Sequence, residues 1–239
     1  MSSTNKTTSV ALPELILREI GFCISCLRVT IQQWGNGDFS EPLLIKCYVG
    51  TYDTKSCTGC AKAKRSCPEL PGLLVGHRFE LLSILEWVKV VWTGLNTGPY
   101  SASIHADPVQ TFGAEVLEKI GVVVKDLLLA FDNLVKSHSK SHSLGNGVER
   151  PEAYNLLVAR RQASVAPELP GTYSGLKRWD THARRALARP RLLLGDEALA
   201  HWYAYIRNFI TIFEEILDEA EFTGLDEHLE VFPYRNLEV

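Results

Sequence analysis

Six cysteines crowd into one stretch of this chain, spaced Cys23-x2-Cys26-x20-Cys47-x9-Cys57-x2-Cys60-x6-Cys67. None lies elsewhere in the 239 residues. A Cys-x-x-Cys pair suits a tetrahedral metal because the two-residue turn points both thiolates at one ion, and zinc is the ion such pairs usually hold. Three arrangements fit the spacing. Six thiolates can surround two zinc ions, two of them bridging, which uses every cysteine. A single zinc can sit on Cys23, Cys26, Cys57 and Cys60, leaving Cys47 and Cys67 spare. Unligated thiols packed in a small core are the third arrangement, since free cysteine is often buried. Bound metal would add folding free energy on the order of 10 kcal/mol to a segment poor in core residues.

The stretch Cys57-Thr58-Gly59-Cys60-Ala61-Lys62-Ala63-Lys64-Arg65-Ser66-Cys67 is the most specific in the sequence. It resembles a half-motif of the fungal binuclear zinc cluster, Cys-x2-Cys-x6-Cys with basic residues between the second and third cysteines. The ending Pro68-Glu69-Leu70-Pro71 is similar to that of cysteine-rich proteins of filamentous fungi. The family resemblance implies two zinc ions on Cys23, Cys26, Cys47, Cys57, Cys60 and Cys67, and a short basic helix that meets the DNA major groove. It also makes Lys62, Lys64 and Arg65 the candidate nucleic-acid contacts. The single-zinc arrangement would instead resemble a zinc ribbon or treble clef. This chain departs from the family in two respects: twenty residues separate Cys26 from Cys47, and the basic half comes second.

Other chemistry-bearing residues are weaker signals. His138 and His142 have a zinc-finger spacing but sit in a Ser/Gly-rich tract, which reads as solvated linker. Lys177, Arg178, His182, Arg184, Arg185, Arg189 and Arg191 form a basic helix suited either to phosphates or to pairing with the acidic cluster Glu214, Glu215, Asp218, Glu219 and Glu221. No dinucleotide fingerprint, phosphate loop, His-Glu-x-x-His or Gly-x-Ser-x-Gly motif occurs, so no catalytic residues are assigned.

The elements that must carry these residues follow from periodicity and punctuation. Leu27 to Trp34 and Leu43 to Tyr48 read as short strands around the turn Gly35-Asn36-Gly37-Asp38, a hairpin signal. Beyond Pro71 the pattern turns helical. Leu73 to Trp92 has apolar residues at helical spacing, and Asp107-Pro108 opens a long amphipathic helix reaching Lys136. Helices are further expected over Pro151–Ser164, Leu176–Ala188 and Asp196–Ala220. The expected fold is mainly α, a small zinc-stabilised cysteine module with a short hairpin followed by a helical body of about five helices. The divisions are a disordered tail over 1–12, the cysteine module over 13–71, a helical region over 72–136, a linker over 137–150, and a second helical region over 151–232.

A net charge of −3 is ordinary for a globular chain, but it hides an asymmetry. Residues 150–191 carry nine basic against three acidic side chains, and residues 192–239 carry two against eleven. The N-terminus has no secretory signal pattern, and no apolar run is long enough for a membrane span. An intracellular location, nuclear or cytoplasmic and not secreted, is therefore expected, where reduced thiols favour metal over disulfides. Two functions compete. One is a zinc-binding nuclear regulator associated with DNA or chromatin through the cysteine module. The other is a zinc-stapled interaction or scaffold protein without DNA binding or catalysis, working as a homodimer or with a protein partner through its helical faces. No membrane partner is expected.

Overall fold

A computed structural model describes residues 15–17, 21–34, 42–50, 56–92, 112–145, 151–165 and 197–222. Within them lie strand β1 (Leu15–Leu17), helix α1 (Ile24–Trp34), strand β2 (Tyr48–Gly50) and the short helix α2 (Thr58–Lys62). A 3-10 turn over Gly72–Leu74 leads into α3 (Val75–Trp92), and α4 (Ala114–Ser141), α5 (Glu152–Val165) and α6 (Glu197–Glu219) follow. The chain is mainly α, as its periodicity indicates.

Helix α4 is the hub. Its stripe Ile120, Val124, Leu127, Leu128, Phe131, Leu134 and Val135 is buried, because residues three and four apart share a face. Against it packs α6, through Leu199, Trp202, Ile206, Phe209, Phe213, Ile216 and Leu217. The two helices run antiparallel: Phe131 meets Trp202 with ring centroids 5.4 Å apart, while Lys119 reaches Glu219 at 3.0 Å. Each of these fully buried side chains contributes roughly 2 kcal/mol of gross apolar stabilisation. Helix α3 closes another side, with Trp87 against Phe213 at 4.9 Å. The buried carboxylate of Glu80 pairs with His77 and accepts the indole N–H of Trp202 at 3.3 Å.

The expected hairpin is not formed. Leu27 to Trp34 belongs to a helix, and β2 pairs antiparallel with β1, Ile16 opposite Val49, rather than with a neighbouring strand. The β-branched run Val29-Thr30-Ile31 favours a strand locally, but Ile24, Leu27 and Ile31 already carry helical spacing and are buried together. Tertiary contacts decide. Trp34 Nε1 donates to the Gly121 carbonyl at 2.9 Å, and Arg28 pairs with the buried carboxylate of Asp132 at 2.8 Å. Lys136 reaches the other oxygen of Asp132 at 2.7 Å. The turn Gly35–Asp38 lies outside the described residues.

The expected linker is also corrected at its start. Helix α4 runs on to Ser141, because His138 continues its buried stripe and its Nε2 meets the Tyr154 hydroxyl at 2.9 Å. That hydroxyl also accepts the Leu73 amide at 3.3 Å, tying α4, α5 and the 3-10 turn together. The helix closes on Ser143 in the left-handed region at φ 52°, with the Leu144 amide reaching back to Ser139 at 2.8 Å. The basic helix 176–191 and the Asp107-Pro108 start lie outside the described residues.

One continuous cluster of buried residues runs from Cys23, Cys47, Cys57 and Cys60 through to Leu217 on α6. The cysteine segment is thus built into the helical core. No helix among the described residues is long and apolar enough to cross a membrane.

Candidate metal centre

Both Cys-x-x-Cys pairs are helix beginnings. Cys57 is the N-cap of α2, and its sulfur accepts the amide of Cys60 at 3.4 Å. Cys23 stands in the equivalent place before α1, and its sulfur accepts the amide of Cys26 at 3.4 Å. The two-residue spacing follows from this geometry, because the cap side chain and the third helical residue lie together at the open end of a helix. Gly21 turns the chain into the first pair at φ 90°, a conformation that suits glycine. Cys47 lies immediately before β2, and the sulfur of Cys67 accepts the Cys57 amide at 3.4 Å. The halves are laced by Ser25 Oγ donating to the Ser66 carbonyl at 2.9 Å and by Thr58 Oγ1 donating to the Tyr48 carbonyl at 3.3 Å.

The structure brings all six sulfurs together as free thiols. They form two groups of four, Cys23-Cys26-Cys47-Cys57 and Cys23-Cys57-Cys60-Cys67, each with its sulfurs within 4.8 Å of one another. Cys23 and Cys57 belong to both, 3.9 Å apart. Other edges measure 3.6 Å, from Cys23 to Cys60, and 3.4 Å, from Cys26 to Cys57. Tetrahedral thiolates at about 2.3 Å from an ion would be roughly 3.8 Å apart, so these three edges are close to those of a thiolate-bound metal. The set Cys23, Cys26, Cys57 and Cys60 is not one of the two groups, since the Cys26 and Cys60 sulfurs are not within 4.8 Å of each other.

Burial and hydrogen bonding divide the thiols. A hydrogen bond with Cys47 and burial push Cys23 well above the ordinary range, and burial does the same to Cys26. Burial raises Cys60 to about 12 and also raises Cys67. Burial pushes Cys57 up too, but the Cys60 amide and the neighbouring thiols donate to its sulfur and bring it down to about 6. A helix N-terminus favours a thiolate there for the same reason. Cys57 is therefore the first sulfur able to take a cation, and a divalent ion would draw the protons from the others.

Lys62, Lys64 and Arg65 stand on the exposed outer side of this centre, in a stretch from Ala61 to Ser66 that is exposed throughout. Helix α2 ends there in a turn whose Arg65 amide returns to the Cys60 carbonyl at 2.9 Å, leaving Lys64 at φ 50°. Sequence reasoning missed Lys46, which lines the same groove as Arg65 although nineteen positions separate them. The His138 and His142 rings meet in a tilted contact, centroids 4.5 Å apart, beside Tyr154 and far in sequence from the cysteines, and the candidate metal groups among the described residues are cysteine only.

No protein-family model, curated protein or solved structure matches this chain.

Proposed function

We propose that the six thiolates hold two zinc ions, and that the cluster presents the turn Lys62–Arg65 to DNA or chromatin as part of a nuclear regulator. The observation that carries the zinc assignment is the sharing of Cys23 and Cys57 between two groups of four sulfurs. Two divalent ions on six thiolates need two bridging ligands, and an all-sulfur tetrahedral set suits zinc. Six thiolates leave such a centre with net negative charge, which Lys62, Lys64 and Arg65 offset from outside. What supports the nucleic-acid reading is the resemblance of Cys57 to Cys67 to the zinc-cluster half-motif, together with the exposure of those three cations. Zinc content by native mass spectrometry tests the first part, with two ions per chain expected. Duplex-DNA binding tests the second: replacing all three cations by Ala should weaken it and flatten the slope of log K against log salt by roughly 2.7. Binding that is absent, or unmoved by the triple change, sinks the DNA reading.

A second reading has its own support. The cysteines share one core with α1, α3, α4 and α6, as a structural staple would. Under it zinc holds the fold together and the protein works through partners, with neither DNA binding nor catalysis. The buried stripe of α4 is covered by this chain's own helices, so a partner or second copy would dock elsewhere. Retention of two zinc ions with no DNA affinity is the outcome this reading expects.

A further inference from the structure

A groove of about 400 Å³ opens beside the cysteine centre, with Cys26 and Gly59 in its wall. That volume falls within the usual range of ligand sites, about 300–1,000 Å³. Its apolar lining comes from Val29 and Trp34 of α1 and from Pro42 and Leu44 of the following segment. Leu44 is 50% exposed, one of few large apolar side chains so placed among the described residues. The indole N–H of Trp34 is committed to Gly121, so its ring offers the groove an apolar wall rather than a donor. Lys46 and Arg65 line the same groove, both exposed, and no acidic residue among the described residues does so. Neither cation is ion-paired among the described residues.

We propose that this groove docks an acidic peptide segment of a protein partner, one bulky apolar side chain entering beside Trp34 and Leu44 while flanking carboxylates meet Lys46 and Arg65. Charge complementarity selects the sign, and the apolar lining selects the class. A nucleic-acid backbone wants an unbroken cationic track, whereas Lys46 and Arg65 are the two cations among the described lining residues, which also include the apolar Val29, Trp34, Pro42 and Leu44. An amphipathic acidic peptide matches both features, and its apolar residue supplies the area that surface ion pairs alone lack. The site is distinct from the turn residues Lys62 and Lys64 and shares only Arg65 with the DNA reading.

The test uses the full-length, zinc-loaded chain, isotope-labelled for NMR, and the synthetic peptide Glu-Asp-Glu-Leu-Phe-Asp-Asp-Glu. Saturable binding is expected, with amide shifts centred on Thr30, Gln33, Leu44 and Lys46. Lys46→Glu and Leu44→Asp should each weaken it at least about tenfold at unchanged zinc content, while Lys62→Ala/Lys64→Ala should leave it within about twofold. Replacing the peptide's Leu-Phe by Ser-Ser should cost at least about tenfold as well. The proposal is overturned by absence of saturable binding at millimolar peptide, or by wild-type binding in both groove variants. Equal binding of the Ser-Ser peptide would reduce the effect to charge alone and overturn it too. Shifts at the same residues produced by duplex DNA but not by the peptide would reassign the groove to nucleic acid.

Discussion

Cys57→Ser and Cys47→Ser separate a shared-thiolate centre from two independent sites. Cys57 belongs to both groups of four sulfurs and Cys47 to only one. Serine is the appropriate replacement at Cys57, because its hydroxyl can still cap α2 by accepting the Cys60 amide; alanine would add about 1 kcal/mol of lost capping. With free zinc about a thousandfold above its dissociation constant, each bound ion contributes about 4 kcal/mol to folding. For a chain of this length that is roughly 8–16 °C in the unfolding midpoint. Cys47→Ser should forfeit one ion and a shift of that size, keeping the group built on Cys23, Cys57, Cys60 and Cys67. Cys57→Ser removes a ligand from both ions and should forfeit about 8 kcal/mol, comparable with the whole stability of a typical domain. Native mass spectrometry in zinc-buffered solution gives the ion count, and calorimetry on the same samples gives the midpoint. If Cys57→Ser keeps one ion and melts with Cys47→Ser, the sulfur is not shared. If Cys47→Ser keeps the full count, Cys47 is no ligand.

After chelation the thiols set their own pH dependence. Cys57 has its ordinary value of 9.0 lowered to about 6, so its contribution is complete above pH 9 and is lost as pH falls through 6. Cys23, Cys26, Cys60 and Cys67 are raised, so theirs is complete below pH 9 and lost as pH rises toward 12, the value of Cys60. The thiol contribution therefore peaks near pH 9. Urea midpoints of the stripped protein should decline on the alkaline side of that peak, and Cys57→Ser should flatten the rise between pH 6 and 9. Lys64→Gly relieves a left-handed backbone at φ 50° and should stabilise by about 1 kcal/mol in urea unfolding; a destabilised variant would show that the lysine side chain matters more than the backbone. At Gly72 an added Cβ would stand 2.7 Å from one Val158 methyl and 2.9 Å from the other. Gly72→Ala should cost about 1–3 kcal/mol, and adding Val158→Ala should recover most of it; failure of the rescue would put the strain elsewhere.

The helical body was legible in the sequence wherever one face repeats every three to four residues. Trp202, Ile206, Phe209 and Phe213 lie buried within the helix expected over Asp196–Ala220, because burial against a neighbour needs a face and a face needs that period. Local composition was a poorer guide. Leu27 to Trp34, with its β-branched Val29-Thr30-Ile31, reads as a strand, and 137–150 as a linker. Yet Trp34 and Arg28 hold the first as helix against α4, and the His138–Tyr154 contact keeps α4 going into the second. Those partners lie 87, 104 and 16 positions away, beyond the reach of any propensity.

The cysteine array divides the same way. Spacing alone singled out the two Cys-x-x-Cys pairs as metal-binding candidates, since two-residue turns converge sulfurs whatever surrounds them, while Cys47 and Cys67 joined the set through the family resemblance. It left open whether four or six act together, because that depends on the approach of two helix N-termini from separate parts of the chain. Tertiary structure gathers all six sulfurs into two overlapping groups. Cys23 before α1 and Cys57 before α2 are brought to 3.9 Å, and the pair joins Cys26 and Cys47 in one group of four sulfurs and Cys60 and Cys67 in the other. The groove framed by Lys46 and Arg65 exists for the same reason, since only packing sets residues from three separate segments around one space.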